Sequence, residues 1–266
     1  MTKDHEKKTR RMKAIVAYDG TAFSGWQVQG DKRTVQAEVE RAITEITGES
    51  PRIFCSGRTD SGVHAIGQVV HFEIAAKIPA KKLFLALNSK LPPDVRIMKI
   101  VRAKSDFDAR FSATGKEYRY FIFNGPQCPP HLRHFRAHVY RKLDVKLMRE
   151  ATAQLVGEHD FAAFSANPGY EREGTVRTIH ALTIRKTSGE ITIAVRGNGF
   201  MYKMVRSLAG FLIRVGTGEL PANAARTILE SKLRTAHVPT APACGLFLWR
   251  VFYRPTNSQA VQHPKA

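Results

Sequence analysis

The side chains best suited to chemistry lie in the segment GRTDSGVH at residues 57–64, directly after a predicted strand. Its two glycines allow the backbone to turn sharply and a substrate to approach closely. A carboxylate at Asp60 would be accessible there, and an arginine nearby would favour its ionised form, which acts as a nucleophile or base rather than as an acid. The alternative is an Asx turn in which Asp60 accepts hydrogen bonds from local backbone amides, and the residue types alone favour that alternative.

Motifs that bind cofactors or metals do not fit this sequence. The two glycines of the segment have the spacing of a P-loop, but Val63 and His64 follow where Lys and Ser/Thr are needed. A later G-x-G lacks its third glycine, because Tyr202 stands at that position. No H-E-x-x-H, C-x-x-C or G-x-S-x-G occurs, and His64 and His71 are poorly spaced for a metal. The sequence therefore predicts chemistry that uses neither a metal nor a nucleotide cofactor.

The composition favours a polyanionic partner. The 266 residues include 42 Lys and Arg but 23 Asp and Glu, which gives a formal net charge of +19. Such an excess suits a nucleic acid, because Lys and Arg that neutralise phosphates release condensed counterions. No apolar run approaches the ~20 residues that span a bilayer, and the start of the chain lacks an apolar leader. With three scattered cysteines, these features predict a reduced, cytoplasmic protein without a membrane segment.

The elements that must position these side chains follow mixed strand and helix patterns. Strands are predicted before Gly57 and at residues 12–18, 67–74, 95–101, 118–123, 176–186, 191–196 and 246–253. Helices are predicted at residues 34–46, with Thr34 as N-cap, and at 79–91, 145–156, 201–215 and 221–231. This order lacks the regular alternation of a doubly wound fold. We therefore predict an α+β protein of two domains, each an antiparallel sheet with helices on one face.

The expected division of the chain follows from composition and element order. Residues 1–11 form a basic tail, and residues 12–110 form an N-terminal α+β domain that carries Asp60. Residues 111–254 form a C-terminal α+β domain, and residues 255–266 form a polar tail.

Two stretches of the second half concentrate positive charge. Residues 131–150 hold six Lys or Arg against two acids, interleaved with His, Phe and Tyr. A later stretch without any acid contains Arg196, Lys203, Arg206 and Arg214. Such clusters suit an RNA backbone, with the aromatic rings available for stacking, while the alternative is a solvated charged face.

The segment 57–64 closely resembles the catalytic-loop signature of the TruA-type tRNA pseudouridine synthases. The resemblance covers about residues 13–253, in order and at matching spacing. It includes AIVAYDGTAFSGWQ at 14–27, FDARF at 107–111, KEYRY at 116–120, NGFMYKMVR at 198–206 and APACGL at 241–246. Ser61 is a small departure, since many members have alanine there. The resemblance implies RRM-like antiparallel sheets in two domains, with an active-site cleft between them.

The resemblance also implies an activity and its residues. The protein would isomerise uridine to pseudouridine at positions 38, 39 and 40 of the tRNA anticodon arm, with no cofactor. Asp60 would be the catalytic aspartate, which adds to C6, attacks C1′ or assists formation of a glycal. Tyr118 would stack on the flipped uracil and help to move a proton. Tyr120 has the same strand parity, so only the motif favours Tyr118.

Two arginines and the assembly complete the expectation. Arg206 would pair with Asp60, while Arg58 would orient the loop or occupy the gap left by the flipped base, and thereby contact RNA. The resemblance implies a homodimer with tRNA as its partner. Two other classes remain open: a non-catalytic tRNA-binding or folding module, and an RNA-cleaving or base-removing enzyme in which Asp60 attacks the ribose.

Overall fold

The computed structural model describes residues 9–167, 169 and 174–254, so most of the two predicted tails lies outside it. Its strands are β1 (Arg10–Tyr18), β2 (Phe54–Cys55), β3 (His64–Ile74), β4 (Val95–Arg102), β5 (Ala113–Asn124), β6 (Ala137–Val139), β7 (Gly157–Asp160), β8 (Val176–Thr187), β9 (Glu190–Gly197) and β10 (Leu246–Tyr253). Its helices are α1 (Val35–Thr47), α2 (Ala80–Lys90), α3 (Val145–Ala153), α4 (Met204–Gly216) and α5 (Ala224–Ser231).

All of these strands belong to one mixed sheet. Eight of them follow the order β4-β1-β3-β10-β5-β9-β8-β7, while β2 pairs with β3 and β6 pairs with β5. Most neighbours are antiparallel, as predicted, but the β3–β10 and β5–β6 pairs are parallel. The last strand, β10, lies between β3 of the N-terminal half and β5 of the C-terminal half. It pairs with the start of β3 at two positions and with β5 along most of its length, and so links the two halves of the sheet.

One face of the sheet is buried from β1 to β8. In β1, every second residue from Met12 to Tyr18 is buried, as expected for a strand that packs on one side. A row of directly paired residues crosses the sheet on this face, and all its members are buried: Tyr18, Ala65, Leu248, Tyr118, Val195 and Leu182. Tyr118 therefore lies near the middle of the sheet, on its covered side.

The helices over the sheet begin and end for identifiable reasons. The predicted N-cap of α1 is present, because the Thr34 hydroxyl accepts a hydrogen bond from the amide of Ala37. Gly48 ends α1 in the left-handed conformation, with a φ of 70°. Helix α4 starts at Met204, three residues later than predicted, because Lys203 has a φ of 58° and interrupts the helical path. This irregularity immediately precedes the helical turn that carries Arg206.

The sequence did not indicate β6 or β7, because three or four residues are too few to show an alternating pattern. Across the described ranges, no helix is long and apolar enough to cross a membrane.

Candidate active site

The segment 57–64 lies in the connection from β2 to β3, against the turn that follows β1. The amide of Trp26 donates to the carbonyl of Thr59 at 3.1 Å. The hydroxyls of Tyr18 and Thr59 share a buried hydrogen bond of 2.8 Å. On the other side of Asp60, the hydroxyl of Ser61 donates to the carbonyl of Phe23 at 3.1 Å. The residues on both sides of Asp60 are therefore fixed by the same turn.

The backbone geometry explains why this turn needs particular residues. A Cβ added at Gly20 would lie 2.0 Å from the carbonyl oxygen of Val63, so no larger residue fits there. Gly62 has a φ of 74°, in the left-handed region that favours glycine. The imidazole Nδ1 of His64 accepts a hydrogen bond from the amide of Gly20 at 3.0 Å. Burial lowers the pKa of His64, which favours the neutral ring that this bond requires.

The carboxylate of Asp60 forms an ion pair with a residue 146 positions away. Nη1 of Arg206 donates to Oδ2 of Asp60 at 2.9 Å, and the two side chains are 14% and 20% exposed, respectively. Nε of Arg206 donates to the carbonyl of Ala241 at 2.8 Å. In return, the amide of Ala241 donates to the carbonyl of Arg206 at 3.0 Å. Because the guanidinium is held by a second acceptor, it presents its charge to Asp60 in a fixed direction.

Tyr118 lies beside this pair, on the covered face of β5. Its ring meets Phe200 edge-to-face, with centroids 5.2 Å apart. Burial, and then the negative charge of Asp60, raise the pKa of Tyr118, so its phenol is protonated at neutral pH. Within the described residues the Tyr118 hydroxyl has no hydrogen-bond partner, whereas Tyr120 donates to the carbonyl of Pro242 at 2.8 Å. The structure thus distinguishes two tyrosines that strand parity could not.

Arg58 occupies a different place from the other candidates. Its side chain is exposed, and within the described ranges it makes neither an ion pair nor a hydrogen bond. The structure thus brings Asp60, Tyr118 and Arg206 together, while Arg58 lies at the surface of the same loop.

Lys116 is a residue of this site to which the sequence analysis gave no role. It precedes Tyr118 by two positions on β5 and therefore lies on the same face. A Cβ added at Gly57 would lie 3.4 Å from Nζ of Lys116, so the lysine contacts the start of the 57–64 segment. Burial, and then the nearby Arg110 and Arg177, lower the pKa of Lys116. Its position two residues before Tyr118 on a strand was the signal that could have found it. A lysine at such a position also suits a solvated strand edge, so the signal did not assign Lys116 to the site.

The positive stretches of the second half do not form one cluster in the fold. Arg206 points to Asp60, but the guanidinium of Arg196 lies over the ring of Phe252, 4.3 Å from its centroid. Arg214 and Arg141 both reach Glu219, at 3.4 Å and 2.7 Å. Arg136 pairs with Glu190 at 2.9 Å. Nearness along the chain therefore does not make these cations one surface.

The histidines considered for a metal are engaged in the scaffold. Nδ1 of His71 accepts from the amide of Ala109 at 3.0 Å, as His64 accepts from Gly20. Across the described ranges, no group of three or more His, Cys, Asp or Glu residues is placed to hold a metal ion. Cys55, Cys128 and Cys244 are free thiols.

Comparison with known proteins gives a consistent result. The family model described as tRNA pseudouridine synthase matches residues 14–112 and 151–254, which include Asp60 and Arg206, whereas Tyr118 lies between the two matched ranges. The tRNA pseudouridine synthase A of Brevibacillus brevis is 44% identical over 244 residues, which are 92% of this chain and 100% of that protein. The enzymes of the same name from Bacillus subtilis and Listeria innocua are each 43% identical, over 91% of this chain and 99% of theirs.

A solved archaeal box H/ACA sRNP Nop10-Cbf5 complex is similar at a TM-score of 0.35 and 13% identity, over 76% of this chain and 44% of that one. That likeness is too weak to support a statement about this protein. The family model and the curated relatives are sufficient without it, and the chain belongs to the tRNA pseudouridine synthase family.

Proposed function

We propose that this protein isomerises uridine to pseudouridine in tRNA. The observation that carries the proposal is the 2.9 Å ion pair between Asp60 and Arg206, next to a protonated Tyr118. The reaction needs one anionic side chain and a protonated group at a uracil ring, and it needs no redox partner. The net charge of +19 supplies the attraction for a polyanionic substrate.

The chemistry assigns a part to each residue. The target uridine leaves its stack and enters the site, where the Tyr118 ring packs against the base. Asp60 acts on the nucleoside by adding to C6, attacking C1′ or promoting a glycal. The N1–C1′ bond breaks, the base rotates and a C5–C1′ bond forms, while the proton lost from C5 is balanced by one gained at N1.

Arg206 acts through Asp60 in this proposal. Its hydrogen bond to Ala241 keeps the guanidinium in place while the Asp60 carboxylate changes partner during the reaction. A fixed cation beside the reacting carboxylate requires little reorganisation as charge moves, which is how preorganised sites lower a barrier.

The site also supports an organisation into two domains. Residues 12–110 and 111–254 would be α+β units with RRM-like sheets, joined by β10, with the active-site cleft between them. Asp60 comes from the first range, whereas Tyr118 and Arg206 come from the second. The substrate would be the anticodon arm, modified at positions 38, 39 and 40, with the exposed Arg58 filling the gap left by the flipped base.

The protein would act as a homodimer in the cytoplasm. The sheet face opposite Tyr118 carries the half-buried rings of Phe121, Phe247 and Trp249. The guanidinium of Arg119 lies 3.9 Å from the centroid of Trp249. Aromatic and arginine side chains are typical of interface centres, which favours a second copy on this face. The free thiols suit a reducing compartment.

Light scattering tests the assembly. We expect a mass near twice the 29.8 kDa of one chain, and a monomer for the folded variant Trp249→Glu. A wild-type mass of one chain would exclude the dimer.

Incubation with an unmodified tRNA transcript tests the reaction. We expect carbodiimide-reactive nucleosides at positions 38–40 and an RNA of unchanged mass. Binding without conversion would instead support a non-catalytic binding or folding module. Release of uracil, or shortened RNA, would support a base-removing or RNA-cleaving enzyme.

A further inference from the structure

Lys116 is a half-buried cation without an acidic partner. Within the described ranges its ammonium forms no ion pair with Asp or Glu, although it lies on the covered face of β5. Moving a charged ammonium out of water is costly unless a counter-charge replaces the lost hydration. The Lys116 ammonium group lies next to the segment that carries Asp60.

The charged neighbours of Lys116 increase this imbalance. Arg110 and Arg177 are near enough to disfavour its charged form electrostatically. The side chain of Arg110 is exposed, and the aliphatic part of Arg177 faces Gly199, where an added Cβ would lie 3.8 Å from it. The nearby thiol of Cys55, on β2, offers no compensating charge at neutral pH because burial raises its pKa to about 11. Within the described ranges, none of these three cations forms an ion pair with a carboxylate.

Gly57 brings the backbone of the 57–64 segment close to the Lys116 ammonium. A Cβ added at Gly57 would lie 3.4 Å from Nζ, in van der Waals contact. Gly57 precedes Asp60 by three residues, which places their Cα atoms at most ~11 Å apart. In a stacked strand, whose charges recur every ~3.4 Å along the helix axis, that distance spans at most about three nucleotides.

We propose that Lys116, flanked by Arg110 and Arg177, binds a phosphate of the RNA strand within about three nucleotides of the reacting uridine. The inference rests on the proposed function and deepens it by assigning a backbone contact to a residue outside the reacting group. A phosphate fits better than a uracil carbonyl, because its full negative charge offsets part of the positive charge of the three side chains. A lysine suits this task, since it acts as a compact point charge.

The experiment measures tRNA affinity against salt concentration for the wild type, Lys116→Met and the control Lys186→Met. Lys186 is exposed on β8 and pairs with Ile191, whereas Lys116 pairs with Gly197, so roughly 20 Å of strand separate them. We expect Lys116→Met to weaken binding several-fold at low salt. Its slope of log K against log salt should fall by about 0.7–0.9. Lys186→Met should keep the wild-type slope.

Two further variants separate phosphate binding from a structural role. Lys116→Arg preserves the charge and should keep the slope, and Arg110→Met, at an exposed position, should lower it. The melting temperature of Lys116→Met should be unchanged or higher, because the substitution removes a half-buried charge. A folded Lys116→Met with the wild-type slope would overturn the inference. If Lys116→Met does not fold, a wild-type slope in Arg110→Met overturns it.

The two proposals fail in different ways. If the wild type neither binds tRNA nor forms pseudouridine, the proposed function is wrong. If the wild type does both and the slopes of Lys116→Met and Arg110→Met match it, only the phosphate site is wrong.

Discussion

Three residues arrange the charges at the reacting centre: Asp60, Arg206 and Ala241. The sequence indicated a role for the first two but not for the third. Asp60 and Arg206 were recognisable from the two motifs, GRTDSGVH and NGFMYKMVR, that resemble those of the family. Their contact, however, depends on the carbonyl of Ala241, which fixes the guanidinium from behind. A backbone acceptor carries no signal in a sequence pattern, so the distance between Asp60 and Arg206 could not have been predicted from residue types.

Replacing Asp60 by alanine should abolish isomerisation, by about 10⁴-fold or more, because it removes the reacting carboxylate. Binding of tRNA should be equal or slightly tighter, since a negative charge near the phosphates is lost. Pseudouridine formation and tRNA affinity, measured on the same preparation, check both expectations. Asp106→Ala removes an exposed carboxylate and is the matched control. Undiminished turnover in Asp60→Ala would show that another residue performs the chemistry.

At the level of elements, the turn after β1 determines where the 57–64 segment lies. Hydrogen bonds from Trp26 and Tyr18 hold Thr59, and Gly20 packs directly on Val63. The sequence predicted the flanking strands and helices to within a few residues, because their periodicity is local. It did not predict that this turn would support the reactive segment, because that contact depends on tertiary packing.

Gly20→Ala should therefore displace the segment and lower activity. The added methyl would meet the Val63 carbonyl at 2.0 Å, and such overpacking costs about 1–3 kcal/mol or more of unfolding free energy. Thermal unfolding and pseudouridine assays measure the two effects. Thr21→Ala changes the exposed neighbour without adding an atom near Val63, so it should retain most of both properties. Full activity in Gly20→Ala would mean that the segment tolerates displacement.

The buried His71 should make stability depend on pH. Burial lowers its pKa in the folded state, so below the unfolded value of about 6.5 the unfolded chain binds more protons and the folded state loses stability. His71→Asn keeps an acceptor for the Ala109 amide and should reduce the fall in unfolding free energy between about pH 7 and 5.5. Denaturant unfolding at each pH measures this slope. The exposed His180→Asn is the control, and equal slopes for all three proteins would contradict the assignment.

At the scale of the whole molecule, a net charge of +19 should favour association with RNA. The composition gives the net charge and its sign. It does not give the distribution of charge over the surface, since Arg136, Arg141 and Arg214 are paired with acids in the fold. The position of β10 could not be predicted either. Its alternation of apolar residues predicts a strand, but it does not identify the strands that pair with it, which lie more than a hundred residues earlier.

Because several phosphates are neutralised at once, tRNA affinity should fall steeply with ionic strength. A plot of log K against log salt should be linear, with a slope corresponding to several released counterions. Affinity measured from low to moderate salt checks this, with an unrelated single-stranded RNA as the comparison. A flat response would mean that the positive surface does not contact the backbone.

The place of β10 has a consequence for how the protein is made. The strand that lies between β3 and β5 is among the last parts of the described chain to be synthesised. Until it leaves the ribosome, the two halves lack the strand that brings them side by side, and Ala241, which steadies the arginine, is only a few residues ahead of it. A polypeptide truncated before β10 should therefore form no pseudouridine, and a nascent chain should gain activity only after this strand has been made.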